Sequence, residues 1–105
     1  MGGITPEIRS HLGLADDRPY FEGFDPAEFP VPAFVVDRAA LQYNLDILAR
    51  VVHAGGGKIL AALKAFSLPA LLDQISSSLD GATASGLYEA RLAREHGFRS
   101  IHVFG

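Results

Sequence analysis

The chain is 105 residues long and 49% hydrophobic, the size of one small domain with ample apolar side chains for a packed core, which excludes a disordered chain. Its net charge is -3, and its basic residues are scattered instead of forming a stripe, so nucleic acid is not an expected partner. It has no cysteine, which excludes disulfides and thiolate zinc sites and suits a cytoplasmic setting.

The start, Met1-Gly2-Gly3-Ile4-Thr5-Pro6, lacks the basic and apolar regions of a secretion signal, and Pro6 stands where a myristoylation signal requires Ser or Thr. No apolar run reaches membrane-spanning length. Residues 1–32 are punctuated by Pro6, Pro19, Pro26, Pro30 and Pro32, with Tyr20, Phe21, Phe24 and Phe29 interleaved. They read as an irregular N-terminal arm with a short helical turn over residues 6–12, whose aromatic side chains dock on another surface. Asp16, Asp17, Glu22, Asp25 and Glu28 accompany those aromatics and disfavour an anionic membrane as that surface.

From Ala33 the pattern becomes periodic, and residues 33–105 read as a second region. Ala33-Phe34-Val35-Val36 is expected to form a short strand, and Asp37 to cap a helix with apolar positions Leu41, Leu45, Leu48 and Val52, which fall at helical spacing. Gly55-Gly56-Gly57 ends that helix. Residues 58–64 follow as a second strand. The next helix is capped by Ser67, tolerates Pro69 in its first turn and places Leu72, Ile75 and Leu79 on one face. Asp80-Gly81 turns the chain into a third strand, Ala82-Thr83-Ala84. Ser85 or Gly86 then opens a helix through Leu87, Ala90, Arg91 and Arg94, which Gly97 closes. Ile101-His102-Val103-Phe104 is the fourth strand.

Strand and helix therefore alternate three times before one further strand, in steps of roughly 20 to 25 residues, the α/β rhythm of a parallel sheet. Both an open doubly wound sheet and a barrel fit that rhythm. An eight-fold barrel takes about 250 residues, so as a barrel the chain supplies slightly under half.

Gly55-Gly56-Gly57-Lys58 invites comparison with a phosphate loop. Such a loop runs from strand to helix and carries Ser or Thr after its lysine. Here the order is helix, glycines, strand, and Ile59 follows, so a helix stop is the better reading. His11, His53, His96 and His102 have no ligand-like spacing, and no metal site is expected. His96 reads as a helix-end residue, and His102 as a packed, hydrogen-bonded strand residue. Arg91 and Glu95 stand at the spacing of a surface ion pair.

Lys64 is the residue that most suggests chemistry, because it ends an apolar strand. Alternation puts Lys58, Leu60, Ala62 and Lys64 on one face and turns Ile59, Ala61 and Leu63 towards covering helices. An ammonium held against apolar walls would lose hydration, which favours the neutral nucleophilic amine that joins an aldehyde cofactor. A strand-end lysine whose stem packs while its head reaches solvent fits the same spacing. Thr83 and Ser85 lie at the carboxyl end of the third strand, the edge where catalytic groups of parallel α/β folds gather. Their hydroxyls could face a cofactor at Lys64. Equally, Thr83 could fill the core and Ser85 cap a helix.

Three segments carry a resemblance to a known family: Val31-Pro32-Ala33-Phe34-Val35-Val36-Asp37, then Lys58-Ile59-Leu60-Ala61-Ala62-Leu63-Lys64-Ala65-Phe66-Ser67, and Asp80-Gly81-Ala82-Thr83-Ala84-Ser85-Gly86-Leu87-Tyr88-Glu89-Ala90-Arg91. In content, order and separation they resemble the pyridoxal-phosphate-dependent decarboxylases with an alanine-racemase-like barrel, and within them the carboxynorspermidine (carboxyspermidine) decarboxylases. The resemblance implies an incomplete (β/α)8 TIM barrel of the alanine racemase and ornithine decarboxylase type, with about three βα units plus a fourth strand. It implies that Lys64 holds pyridoxal 5'-phosphate through an imine, the cofactor that the hydroxyls of Thr83 and Ser85 could face from the strand's carboxyl end, with Glu89 a candidate for the substrate grip. The implied activity is decarboxylation of a carboxylated polyamine to norspermidine or spermidine in polyamine biosynthesis, with the full-length protein a homodimer. The phosphate loop, the acidic partner of the pyridine nitrogen and a β-rich second domain are expected beyond Gly105, and the 105-residue chain alone is expected to be inactive and prone to aggregate. Other readings are a decarboxylase or racemase of the same barrel with another substrate, a non-catalytic pyridoxal-phosphate carrier, and a small α/β interaction domain.

Overall fold

A computed structural model describes residues 23–105. Residues 1–22, including the helical turn expected over residues 6–12, lie outside the described residues. The chain enters through a single 3-10 turn, Pro26–Glu28, whose Asp25 side chain accepts from the Ala27 N–H. The Phe24 and Phe29 rings stack across this turn with centroids 5.0 Å apart.

Helix α1 spans Arg38–Gly55. Asp37 begins it as expected, its Oδ1 accepting the Ala40 N–H at 3.0 Å. Gly56 ends it with φ 72, a left-handed conformation that glycine adopts without the steric cost a Cβ would add. Three strands follow: β1 (Leu60–Ala62), β2 (Gly81–Ala84) and β3 (Ile101–Val103). They form one parallel sheet in the order β1-β2-β3. Helix α2 (Pro69–Ser76) joins β1 to β2, and α3 (Leu87–Glu95) joins β2 to β3.

The expected strand over residues 33–36 does not form. Those residues pair with no strand, they are exposed, and Phe34 is fully so. Apolar and β-branched residues favour an extended backbone, but a strand is completed by a neighbour's hydrogen bonds. The described architecture is therefore a helix, two βα units and a third strand, not three βα units and a fourth. The strand expected over residues 58–64 is also shorter, ending at Ala62.

The core lies between one sheet face and the helices. Leu45 of α1, Leu72 and Ile75 of α2, Ala93 of α3, and Leu63, Ala82 and Phe98 are buried together, with Leu41, Ala61, Leu79, Leu92 and Ile101 packed against them. The alternation expected of the lysine strand is present: Leu63 is 1% exposed and Ala61 faces the core. Leu41 and Leu45 use the first half of the α1 stripe, whereas Leu48 remains exposed. Polar bonds join α1 to α2, with Arg38 donating to the Ala70 carbonyl at 3.1 Å and Gln74 to the Arg38 carbonyl at 3.2 Å.

Of Ser85 and Gly86, either of which was expected to open α3, it is Gly86 that stands at the N-cap. The cap expected of Ser67 is absent, because Leu68 precedes α2 and its side chain makes no capping bond. Pro69 opens α2 instead, its ring presetting the first helical φ.

Candidate active site at the carboxyl edge of the sheet

Parallel strands bring their carboxyl ends to one edge, where the connections to following helices converge. At this edge the first connection carries Lys64 and the second carries Ser85. The register aligns Ala62 with Thr83 and Thr83 with His102, so these three residues form one row across the sheet. The ladder continues one residue past β1, because the Leu63 N–H donates to the Thr83 carbonyl at 3.2 Å. Lys64 is thus the residue immediately after a buried, strand-bonded leucine.

The chain then turns sharply, with the Ala65 and Phe66 N–H groups both donating to the Ala62 carbonyl, at 3.0 and 3.3 Å. Lys64 sits within this turn and is exposed. The dry apolar setting expected for its amine is therefore not built by the described residues. The strand ends two residues earlier than expected, and the turn carries the side chain out of the alternation that would have laid it along the sheet.

Thr83 is half-buried and Ser85 exposed. The Ser85 N–H donates to Glu89 Oε1 at 3.1 Å, so Glu89, expected as a candidate for gripping substrate, is engaged with its own chain. His102 is exposed and lies 3.1 Å from Ser100 Oγ through Nε2: it is hydrogen-bonded as expected, but not packed. His96 Nδ1 meets Asp73 Oδ1 at 2.8 Å, tying α3 to α2. No ion pair links Arg91 to Glu95.

The amino edge of the sheet has a different character. Lys58, Leu60, Asp80, Arg99, Ser100 and His102 line a concavity of about 580 Å³ there. Asp80 is structural in this position, since its Oδ2 accepts the Ile59 N–H at 2.8 Å and its own N–H donates to the Ile59 carbonyl at 3.1 Å. Among the described residues no group of three or more His, Asp or Glu could hold a metal, and no helix is long and apolar enough to cross a membrane.

An aldehyde-bearing aromatic cofactor fits the carboxyl edge in its donor set. The Lys64 amine is accessible, Thr83 lies in the adjoining strand, and the Ser85 hydroxyl makes no hydrogen bond among the described residues.

No family model matches the chain. Individual proteins do. The chain is 36% identical over 73 residues to a carboxynorspermidine/carboxyspermidine decarboxylase of Campylobacter jejuni and 33% identical over 73 residues to one of Herminiimonas arsenicoxydans. The crystal structure of a carboxynorspermidine decarboxylase from Campylobacter jejuni, complexed with norspermidine, superposes with a TM-score of 0.68 at 35% identity, over 71% of this chain. This chain is homologous to a segment of the carboxynorspermidine/carboxyspermidine decarboxylases. A carboxyaminopropylagmatine decarboxylase of Synechocystis sp. is likewise similar, 38% identical over 78 residues. The matches take in 70 to 74% of this chain but only about one fifth of each decarboxylase. The α/β fold with parallel strands agrees with that homology.

Proposed function

We propose that the chain is a segment of a pyridoxal-phosphate-dependent decarboxylase of polyamine biosynthesis, with a TIM barrel as the complete fold and Lys64 as the cofactor lysine. The observation that carries this reading is the homology to carboxynorspermidine decarboxylases, joined to an accessible lysine one residue beyond a buried strand end. The substrate is a carboxylated polyamine such as carboxynorspermidine or carboxyspermidine, whose carboxylate departs as carbon dioxide while a proton takes its place on the same carbon. The similarity to the Synechocystis protein adds carboxyaminopropylagmatine as the second substrate to assay.

In this reading Lys64 holds the cofactor, with Thr83 contacting it from the neighbouring strand and Ser85 from the connection that follows that strand. When bound, the cofactor supplies an electron sink for the bonding pair left by carbon dioxide. The chain's own contribution is placement. The Leu63 bond to Thr83 keeps the lysine and the threonine strand in register, and both stand at the edge that a parallel fold offers to ligands. The domain division at about residue 32, a homodimeric full-length protein and a cytoplasmic location belong to the same proposal.

Borohydride reduction after cofactor loading, with peptide mass analysis of the full-length protein that carries this segment, tests the lysine. The label is expected on Lys64 and lost in K64A, together with carbon dioxide release from carboxynorspermidine. Label on another lysine overturns the assignment, and cofactor binding without turnover of either substrate favours a carrier.

A further inference from the structure

An α-helix begins with backbone N–H groups that lack internal partners, and the N-cap side chain ordinarily accepts one of them. At α3 that position is Gly86, which has no side chain to offer. Glu89, the third residue of the helix, reaches back instead and takes the Ser85 N–H through Oε1. This is the returning half of a capping box, displaced one residue towards the strand and without its forward half.

The bond fixes the peptide between Ala84, which is wholly buried, and the helix start. It also determines what Ser85 can offer a ligand. Its N–H is occupied, and the carboxylate beside it opposes an incoming dianion. Its hydroxyl is exposed and uncommitted among the described residues. Anion capture at a helix start requires free N–H groups and no competing negative charge, so this corner is suited to a neutral or cationic group.

We propose that Glu89 is a positioning residue for Ser85, holding its hydroxyl towards the ring of the aldehyde cofactor and not towards its phosphate. The assignment rests on the reading of Lys64 as the cofactor lysine. The test measures half-saturating concentrations for borohydride trapping on Lys64 in the full-length protein, using both pyridoxal 5'-phosphate and phosphate-free pyridoxal. E89A raises the half-saturating concentration about fivefold for both aldehydes, the effect of one lost hydrogen bond. E89Q retains an acceptor oxygen and restores most of the binding. S85A gives a similar loss, and adding E89A to S85A changes nothing further. A loss confined to the phosphorylated aldehyde, additive losses in the double variant, or a lower melting temperature with unchanged trapping would each overturn the role given to Glu89. Absence of any label on Lys64 in the unaltered protein overturns the underlying cofactor assignment as well, so the two failures are distinguishable.

Discussion

A methyl group at Gly81 would overlap the Ser100 carbonyl oxygen and press against the Leu60 side chain, because β2 lies between β1 and β3 with Ser100 close against its first residue. The Ala82 N–H donates to that same Ser100 carbonyl at 2.8 Å, so the backbone cannot withdraw without breaking the ladder. Gly81→Ala is expected to cost about 3 kcal/mol, the upper range for overpacking a tight site, as read by urea denaturation. A change under about 0.5 kcal/mol, ordinary for an unconstrained surface position, would show that the strands part easily here. Sequence alone suggests a turn at Asp80-Gly81, but the bend falls on Leu79 and Asp80 and Gly81 is already the first residue of β2. The close approach of Ser100 is a tertiary fact with no local signature. The same division holds at Lys64: alternation foretells that Leu63 is buried and allows both a dry amine and one whose head reaches solvent, and the turn after Ala62 decides for the exposed one.

Helix ends were legible wherever a residue's own chemistry sets the backbone. Asp37, Gly56 and Gly97 act as their residue types require, and Gly86, one of the two residues expected to open α3, does so, whereas the cap expected of Ser67 is absent. A serine can satisfy a helix start or face solvent, and the surrounding backbone decides between them. The end of α3 shows what position adds to composition. Gly97 has φ 80, its N–H donates to the Arg94 carbonyl, and the Phe98 N–H donates to the Ala93 carbonyl, the paired bonds of a Schellman motif. That geometry carries Phe98 into the core, where it is 6% exposed. Periodicity does not reach Phe98, which lies past the helix; the signal the sequence offers is an apolar residue directly after a helix-ending glycine. Phe98→Ala should destabilise the fold by about 3–5 kcal/mol, as large core truncations do, in a denaturation series with Leu48→Ala as the exposed control. Equal costs for the two would contradict the packing described.

For the whole molecule, the described sheet has two free edges, at β1 and β3, and large apolar side chains remain exposed around it, including Leu87, Val103 and Phe104. Open edges beside apolar surface invite association. Light scattering on the isolated 105-residue chain is expected to show species larger than a monomer, growing with protein concentration. A monodisperse monomer that melts cooperatively would contradict this. Barrel closure is not readable from the strand pattern, since three parallel strands suit an open sheet and a barrel equally. The bond from Leu63 to Thr83 has a consequence for the lysine beside it. The stem of Lys64 springs from an unyielding point, while the bend that follows leaves its tip free. Such an amine searches by swivelling its own methylenes, so capturing an aldehyde would curtail the freedom of one side chain and leave the strands beneath it undisturbed.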